Sequence, residues 1–177
     1  MKRFRIALLV LVLLGVALPQ AACKKAAPSA LTLDMLRNAE YRNEWPQKGA
    51  AKLKDGQYEE EIVPGAASKT VIALMPDRYA FGDLNGDAVD DAAVVLVASG
   101  GGSGSFVYLE AVLNDKGAPK HVAEAALGDR TRIDSIAIQA GQITVDVVTH
   151  GPSDPMCCPS LKATKKFKLQ GEKLVEL

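Results

Sequence analysis

The sequence has few of the side chains from which catalytic and metal centres are usually built. Its 177 residues include two histidines, three cysteines and one tryptophan, and only 5% of them are aromatic. Without a second cysteine pair or closely spaced histidines, the spacing of a structural zinc site is absent. No nucleophile, base and orienting residue can be assigned to separate elements of the chain. We therefore expect a protein that is not an enzyme.

An excess of basic residues is also lacking. The whole chain balances 21 Lys and Arg against 21 Asp and Glu. Three of the basic residues lie within residues 1–22, so the chain that follows carries 18 basic and 21 acidic residues. Nucleic-acid binding normally requires a basic face, and this balance argues against nucleic acid as a partner.

Long apolar runs are scarce as well, and the clearest one lies at the N-terminus. Residues 6–18 carry no charge, follow three basic residues among the first five, and precede Pro19 and the small pair Ala21-Ala22. A membrane-spanning helix needs about 20 apolar residues, so this run of 13 is too short. Its order of basic, apolar and small residues is typical of a secretory signal. We predict that residues 1–22 are a signal peptide and that the protein is exported to the cell envelope.

Cys23 directly follows the predicted cleavage site. Ala21-Ala22-Cys23 resembles a bacterial lipobox, with Gln20 where that motif usually has leucine. The resemblance implies that Cys23 is lipidated, and a diacylglycerol holds a protein on a membrane with ~0.8 kcal/mol per buried CH₂ group. Residues 23–30 contain proline and small residues, and they would then form a lipid-anchored tether. The alternative is ordinary cleavage after Ala22, which leaves Cys23 as a thiol.

Residues 31–177 are predicted to form a single β-rich domain of the α+β class. Thr32 is suited to cap a short N-terminal helix, which Trp45-Pro46 would end. Beyond residue 51, short runs rich in β-branched residues alternate with turn dipeptides such as Asp55-Gly56, as is typical of antiparallel strands. No segment between the strands is long enough for a crossover helix, so we expect a meander. The predicted strands are 57–63, 69–75, 92–98, 106–113, 132–139, 143–149, 162–169 and 173–177.

Acidic and amide side chains alternate in the segment 83–91, just before the predicted strand 92–98. Asp83, Asn85 and Asp87 occupy positions 1, 3 and 5 of a loop, Asp91 occupies position 9, and the carbonyl of Val89 is available at position 7. Ca²⁺ takes about six to eight oxygen ligands, and a tight turn that directs alternate side chains inward supplies several of them. We predict that these five residues bind Ca²⁺ as a structural ion. The alternative is an acidic turn whose Asn and Asp side chains cap their own backbone.

This loop differs from an EF-hand at two positions. Ala88 stands where an EF-hand has the glycine of its sharp turn, and Val94 stands where it has a bidentate glutamate. The order Asp-x-Asn-Gly-Asp followed by a strand resembles instead the calcium loops of FG-GAP repeats in integrin-like propellers. That resemblance implies a calcium role for this loop and its strand only, because one copy cannot form a propeller.

The segment 150–160, HGPSDPMCCPS, contains the two remaining cysteines. In an exported protein whose Cys23 carries lipid, an oxidising compartment favours pairing of Cys157 with Cys158. Adjacent cysteines close almost no loop, so such a disulfide would act locally, as a rigid kink or as a switch. Two alternatives follow in order. They are intermolecular pairing, and binding of Cu(I) or Zn²⁺ with Met156 and His150 as further soft ligands.

The chain contains, in this order, the blocks LRNAEYR, DGQYEEE, FGDLNGDAVDDAAVVL, GGSGSFVYLEAVLN, LGDR and THGPSDPMCCP. Together these blocks resemble an uncharacterised family of secreted bacterial lipoprotein domains. The resemblance spans nearly all of the chain after the predicted signal, and it implies an envelope location without naming an activity. The first hypothesis for function is a non-enzymatic binding or interaction module for a protein or glycan, with a structural calcium loop. The alternative is a redox or soft-metal-handling protein that uses Cys157 and Cys158.

Substitution of Cys23 tests the predicted anchor. Cys23→Ser removes the sulfur to which the lipid would be attached, so we expect the exported protein to move from the membrane fraction to the soluble fraction. The measurement is fractionation of the producing cells followed by detection of the protein, with Cys157→Ser as a matched loss of one cysteine elsewhere. Unchanged membrane association of Cys23→Ser would contradict lipidation.

Overall fold

The computed structural model of the chain describes residues 29–177, and most of that range is β-strand. The predicted signal peptide 1–22, Cys23 and all but the last two residues of the predicted tether lie outside the described residues. Within residues 29–177, no helix is long and apolar enough to cross a membrane. The elements are α1 (Leu33–Arg37), β1 (Glu40–Arg42), β2 (Ala50–Lys52), β3 (Gln57–Glu61), β4 (Lys69–Gly82), β5 (Asp91–Ser99), β6 (Phe106–Asp115), β7 (Ala118–Asp129), β8 (Arg132–Gln139), β9 (Gln142–Thr149), β10 (Leu161–Gln170) and β11 (Lys173–Glu176).

The strands form three antiparallel sheets. β1 and β2 form a two-stranded sheet, β3 to β7 form a five-stranded sheet, and β8 to β11 form a four-stranded sheet. In the two larger sheets, strands that follow one another in the chain are also neighbours in space. This arrangement confirms the predicted antiparallel meander, and it needs only short connections.

The N-terminal helix is much shorter than predicted. Thr32 caps it as expected, since its hydroxyl oxygen accepts a hydrogen bond at 3.3 Å from the backbone N–H three residues further on. The helix ends at Arg37, well before Trp45-Pro46. Alternate residues in the segment 39–43 are buried, which is the period of a strand and not of a helix. The predicted α+β class is therefore wrong, and the fold is β-rich with five helical residues in the described range.

Most predicted strands are present, and two differences matter. The strand predicted at 132–139 coincides with β8. β4 continues to Gly82, past Pro76, because a register shift between Leu74 and Tyr79 leaves the proline without a partner on β5. β7 has no counterpart among the predicted strands. Its sequence, APKHVAEAALGD, contains one β-branched residue and several alanines, which are depleted in strands.

β5 is the centre of the fold because both of its faces are buried. Val94 and Leu96 pack on one side with the N-terminal segment 31–53, whereas Ala93 and Val95 pack on the other side with the four-stranded sheet. A strand buried on both faces needs no alternation of polar and apolar residues. This explains the continuous apolar run AAVVLVA, which is the least polar part of the described chain.

The last two residues of the predicted tether are described, and Ser29 contacts the domain at the Asp91 end of β5. Ser29, the first described residue, accepts a hydrogen bond on its carbonyl oxygen from the Asn114 amide at 3.0 Å. Asn114 also contacts the start of β5, because its backbone N–H donates a hydrogen bond to the Asp91 side chain at 2.9 Å. We call this the tether end.

The other end of β5 lies about 26 Å away, at ~3.3 Å for each residue step. There, Arg130 donates hydrogen bonds to the carbonyls of Ser103 and Met156, so the glycine-rich loop 100–105 and the loop 150–160 lie together. We call this the disulfide end. The glycine-rich loop joins β5 to β6 as a hairpin connection.

Candidate functional site

The acidic loop 83–91 joins β4 to β5 at the tether end, and Asp83 organises its backbone. Asp83 Oδ1 accepts hydrogen bonds from the N–H of Asn85 at 3.1 Å and of Gly86 at 2.6 Å. Its Oδ2 accepts from the N–H of Ala88 at 2.9 Å. These bonds favour the ionised form and lower the pKa of Asp83 from its ordinary value, and the bond from Ala88 contributes most. One carboxylate thus holds most of the turn.

The next two polar side chains continue the same pattern. Asn85 Oδ1 accepts from the Asp87 N–H at 2.9 Å, and Asp87 Oδ1 accepts from the Val89 N–H at 2.8 Å. The Asn85 amide also donates to Asp87 Oδ2 at 3.0 Å. The bonds by which an acidic turn caps its own backbone are therefore present. Asn85 and Asp87 are exposed, and each of their acceptor oxygens has a further lone pair.

Ala88 adopts the left-handed backbone that an EF-hand loop requires at its sixth position. Its φ angle is +64°, a conformation that costs a residue with a Cβ atom about 1–2 kcal/mol. The sequence alone indicated that alanine would weaken the match to a calcium loop. The turn forms nevertheless. Asp83 accepts from the N–H of Ala88 itself and Asp87 accepts from the N–H of Val89, so hydrogen bonds hold the backbone on both sides of the Ala88 Cα atom.

Asp91 fastens the end of this loop to the central sheet. It is fully buried, and its Oδ2 accepts from the Leu84 N–H at 2.9 Å while its Oδ1 accepts from the Asn114 N–H at 2.9 Å. Burial raises the pKa of Asp91, and the two N–H bonds oppose that shift. A buried carboxylate that accepts two backbone N–H groups stabilises both the loop and the adjoining turn.

The predicted calcium ligands therefore fall into two groups. Asp83, Asn85, Asp87 and the Val89 carbonyl belong to one turn, whereas Asp91 is buried where the loop meets β5. All five supply oxygen, which hard cations prefer over nitrogen and sulfur. Among residues 29–177, no group of three or more His, Cys, Asp or Glu side chains is arranged to hold a metal ion. A cation in this loop would accordingly depend on the Asn85 amide and the Val89 carbonyl as well as on carboxylates.

Cys157 and Cys158 form the predicted disulfide. The bond lies in the loop between β9 and β10, and both cysteines are exposed. Met156, the residue before them, exposes 72% of its surface. The disulfide is thus accessible from outside the domain.

The loop that carries the disulfide is closed at its base by Asp154. Its Oδ2 accepts from the N–H of Gly151 at 2.8 Å and of Ser160 at 2.7 Å, and its Oδ1 accepts from the Ser160 hydroxyl at 2.8 Å. These bonds, led by that from Gly151, lower the pKa of Asp154. Next to the residues that Asp154 binds, Thr149 and Leu161 form the last pair of the β9–β10 ladder. Asp154 therefore holds the loop closed.

A third polar cluster, the buried pair of Glu110 and His121, is not apparent from the sequence. Glu110 lies on β6 with none of its surface exposed, and the His121 side chain on β7 is 4% exposed. His121 Nε2 lies 2.8 Å from Glu110 Oε2. Glu124 stands directly opposite Glu110 in the β6–β7 ladder, and its Oε2 accepts from the Asn43 amide at 3.3 Å. Like charges opposite one another destabilise a sheet, so each carboxylate here needs its own partner.

A β-bulge brings these side chains to the same face of the sheet. The register of β6 and β7 shifts so that Val112 opposes His121, and Val122 has no partner on β6. In a regular strand, His121 and Glu124 are three residues apart and would point to opposite faces. The bulge adds one residue between them, so both share the face of Glu110, against the N-terminal segment.

Both nitrogens of the His121 ring are engaged. Nδ1 accepts a hydrogen bond from the Arg42 backbone N–H at 3.1 Å, so the proton of the neutral ring is assigned to Nε2, which donates to Glu110. The Arg42 guanidinium also donates to the Val122 carbonyl at 2.9 Å. His121 therefore joins the N-terminal segment to the edge of β7, and neither nitrogen is available as a catalytic base in this arrangement.

Burial dominates the electrostatics of this cluster. It raises the pKa of Glu110 to about 7, although the bond to His121 acts in the opposite direction. Glu110 Oε1 has no hydrogen-bond partner among the described residues. Burial also raises the pKa of Glu124, and burial together with the charge of Glu110 raises the pKa of Tyr41 beyond its ordinary range. The cluster thus contains the most strongly shifted pKa values in the described part of the chain.

A surface groove of about 650 Å³ adjoins this cluster. His121 and Glu124 line it from β7, Arg42 lines it from β1, and Glu172 and Lys173 line it from the β10–β11 hairpin. Its lining includes acidic and basic side chains, so no single sign of charge dominates the groove.

Comparisons with known proteins provide no functional assignment. No protein-family model, characterised protein or solved structure matches this chain. The resemblances noted in the sequence therefore stay predictions.

Substitution of Glu110 tests the cost of its burial. Glu110→Gln keeps an acceptor for His121 and removes the charge. The pKa of about 7 in the folded protein lies above the ordinary value of 4.5, so the folded protein keeps a proton that the unfolded chain loses as the pH rises between these values. The free energy of unfolding of the wild type should therefore fall through this window. As the pH rises from ~4.5 to ~8, we expect the variant to gain about 2–3 kcal/mol of stability relative to the wild type.

The measurement is urea unfolding of both proteins at a series of pH values. Glu172→Gln is the matched control, because it removes a glutamate that is exposed in the adjoining groove. The control should follow the wild-type pH dependence. A difference between wild type and Glu110→Gln that stays constant with pH would show that burial does not raise the pKa of Glu110.

Proposed function

We propose that this protein is an exported, lipid-anchored domain of the cell envelope that binds a protein or glycan partner and holds Ca²⁺ as a structural ion in the loop 83–91. The observation that supports this most directly is the turn in which Asp83, Asn85 and Asp87 are joined by hydrogen bonds at one end of the central strand. In this proposal the domain is not an enzyme. It presents a surface, and the ion stiffens the end by which the domain is attached.

Three properties of the loop support a structural calcium ion. Its side chains and the Val89 carbonyl supply oxygen ligands, which Ca²⁺ prefers. Ala88 has the left-handed backbone of the sixth position in a calcium loop. The loop also concentrates negative charge, since the charges of Asp87 and Asp83 add to burial in raising the pKa of Asp91. A bound cation would relieve this repulsion.

The ion would act on the core through Asp91 and Asn114. Asp91 accepts N–H groups from the loop and from Asn114, and the Asn114 side chain holds the carbonyl of Ser29. The acidic loop, the central sheet and Ser29 of the predicted tether therefore meet at two side chains. Neutralising the loop should strengthen this junction, so we assign Ca²⁺ the role of fastening the domain to its tether.

The position of Ser29 supports an orientation for the domain on the membrane. If the chain leaves for its anchor at the tether end, the disulfide end faces away from the membrane. Exposed apolar side chains lie there, including Phe106 with 36% and Met156 with 72% of its surface exposed. Trp45 packs against Phe106 with ring centroids 5.1 Å apart. Aromatic side chains and methionine are enriched in partner-binding surfaces, and we propose this end as the surface for the partner.

Calcium binding is tested by thermal unfolding of the protein with and without the ion. For a site with a Kd on the order of 10⁻⁴ M, Ca²⁺ at about 5 mM stabilises the folded state by ~2 kcal/mol. That energy raises the Tm of a domain of this size by about 4–8 °C. Asp83→Asn should lose most of this increase, because it removes one charged ligand at the centre of the turn.

Asp90→Asn is the matched control for this experiment. It removes the same charge from an exposed neighbouring position that is not among the predicted ligands, and it should keep most of the increase in Tm. Mg²⁺ demands a smaller and more regular oxygen cage, so it should raise the Tm less than Ca²⁺ does. Identical Tm values for the wild type in Ca²⁺ and in chelator would refute the calcium part of the proposal.

A further inference from the structure

We infer that the exposed Cys157–Cys158 bond is a site of thiol–disulfide exchange, and that its reaction partner is a dithiol on another exported protein or peptide. The inference goes beyond the proposed function and depends neither on calcium nor on the anchor. It rests on two observations about the bond. The bond lies in an exposed loop at the disulfide end, and it takes no part in the hydrogen bonds that close that loop.

Exposure makes the bond open to attack. Both cysteines are exposed, and so are Pro155 and Met156, which precede them. Exchange requires a thiolate to reach one sulfur of the disulfide, and buried structural disulfides prevent that approach. Exposed disulfides are the ones that serve as labile or catalytic bonds.

The disulfide contributes little to holding its loop. It joins neighbouring residues, so it closes almost no loop of the unfolded chain and stabilises the folded state by only about 1 kcal/mol in the chain-entropy description. The base of the loop is closed by Asp154, which binds Gly151 and Ser160. At the tip, the Cys158 N–H donates to the Pro155 carbonyl at 3.0 Å. None of these contacts involves a sulfur atom, so we expect reduction to leave the loop folded.

Arg130 keeps the loop in its place at the disulfide end. Its guanidinium donates to the carbonyl of Met156 at 3.1 Å, one residue before Cys157, and to the carbonyl of Ser103 in the glycine-rich loop. Asp129 binds the same guanidinium. The backbone next to the disulfide is therefore held from outside the loop, which keeps the two cysteines presented to a partner.

The exchange balances with a dithiol as reductant. A thiolate of the partner attacks the sulfur of Cys157 or Cys158, their S–S bond breaks, and the other cysteine leaves as a thiolate. The second thiol of the partner then attacks the mixed disulfide and releases the protein. The partner loses two electrons and two protons and becomes a disulfide, whereas Cys157 and Cys158 gain them and become thiols.

The partner must supply both thiols because the described domain has no third cysteine. Residues 29–177 contain Cys157 and Cys158 alone. After the first attack, a partner with a single thiol would be expelled again by the freed cysteine of the pair. A dithiol completes the exchange, since its second thiol competes with that reversal.

The test uses the full chain with Cys23→Ser, in which Cys157 and Cys158 are the only cysteines. This protein is incubated under native conditions with a reduced synthetic peptide that contains a Cys-x-x-Cys pair, and free thiols are alkylated and counted by intact mass. We expect the peptide to become oxidised as two thiols appear on the protein, in a one-to-one ratio. The Tm of the reduced protein should stay within about 4 °C of the oxidised form.

Two variants in the same background serve as controls. The double variant Cys157→Ser, Cys158→Ser should keep its fold and leave the peptide reduced. Cys158→Ser alone cannot form the bond between residues 157 and 158, so it should also leave the peptide reduced. If the bond reacts with the peptide only after urea has unfolded the protein, or if reduction itself unfolds the domain, the bond is structural and the inference is wrong. Neither result would affect the calcium experiment, so the two proposals fail separately.

Discussion

Burial of both faces of β5 is the constraint on which the rest of this structure depends. A central strand that is apolar on both sides must be covered twice, and the covers come from opposite ends of the chain. The N-terminal segment 31–53 covers one face, and the sheet formed by β8 to β11 covers the other. We therefore expect the two ends of the chain to fold together with the sheet. Each loop discussed above is a connection in this layered arrangement.

Features that depend on neighbouring residues could be predicted from the sequence. Asp55 and Gly56 have positive φ angles in the turn that their sequence predicted, although only Lys54 and Gln57 bridge across it. The disulfide is confirmed because two adjacent cysteines are near each other in any fold. The acidic loop lies where its alternating oxygens indicated, since its hydrogen bonds join residues two to five positions apart. Local chemistry determines such features, and burial changes them little.

Features that depend on pairing between distant residues could not be predicted. The helix was expected to continue to Trp45 because the spacing of its apolar residues also suits a helix, but packing on the sheet favours a strand from Glu40. β7 lacks the usual strand residues, and its place in the ladder with β6 determines its conformation. Glu110 and His121 face each other only because β7 contains a bulge. No pattern in one strand reveals an extra residue relative to its partner.

The bulge at Val122 also determines which changes β7 can tolerate during evolution. Loss of Val122 would remove the bulge and leave His121 two residues from Glu124, the spacing that places both on one face of a regular strand. His121 would then still stand opposite Val112, and the cost would be the burial of one valine side chain. A deletion inside a regular strand usually reverses the faces of all the residues that follow it. In β7, the bulge is the point at which one residue can be lost without that reversal.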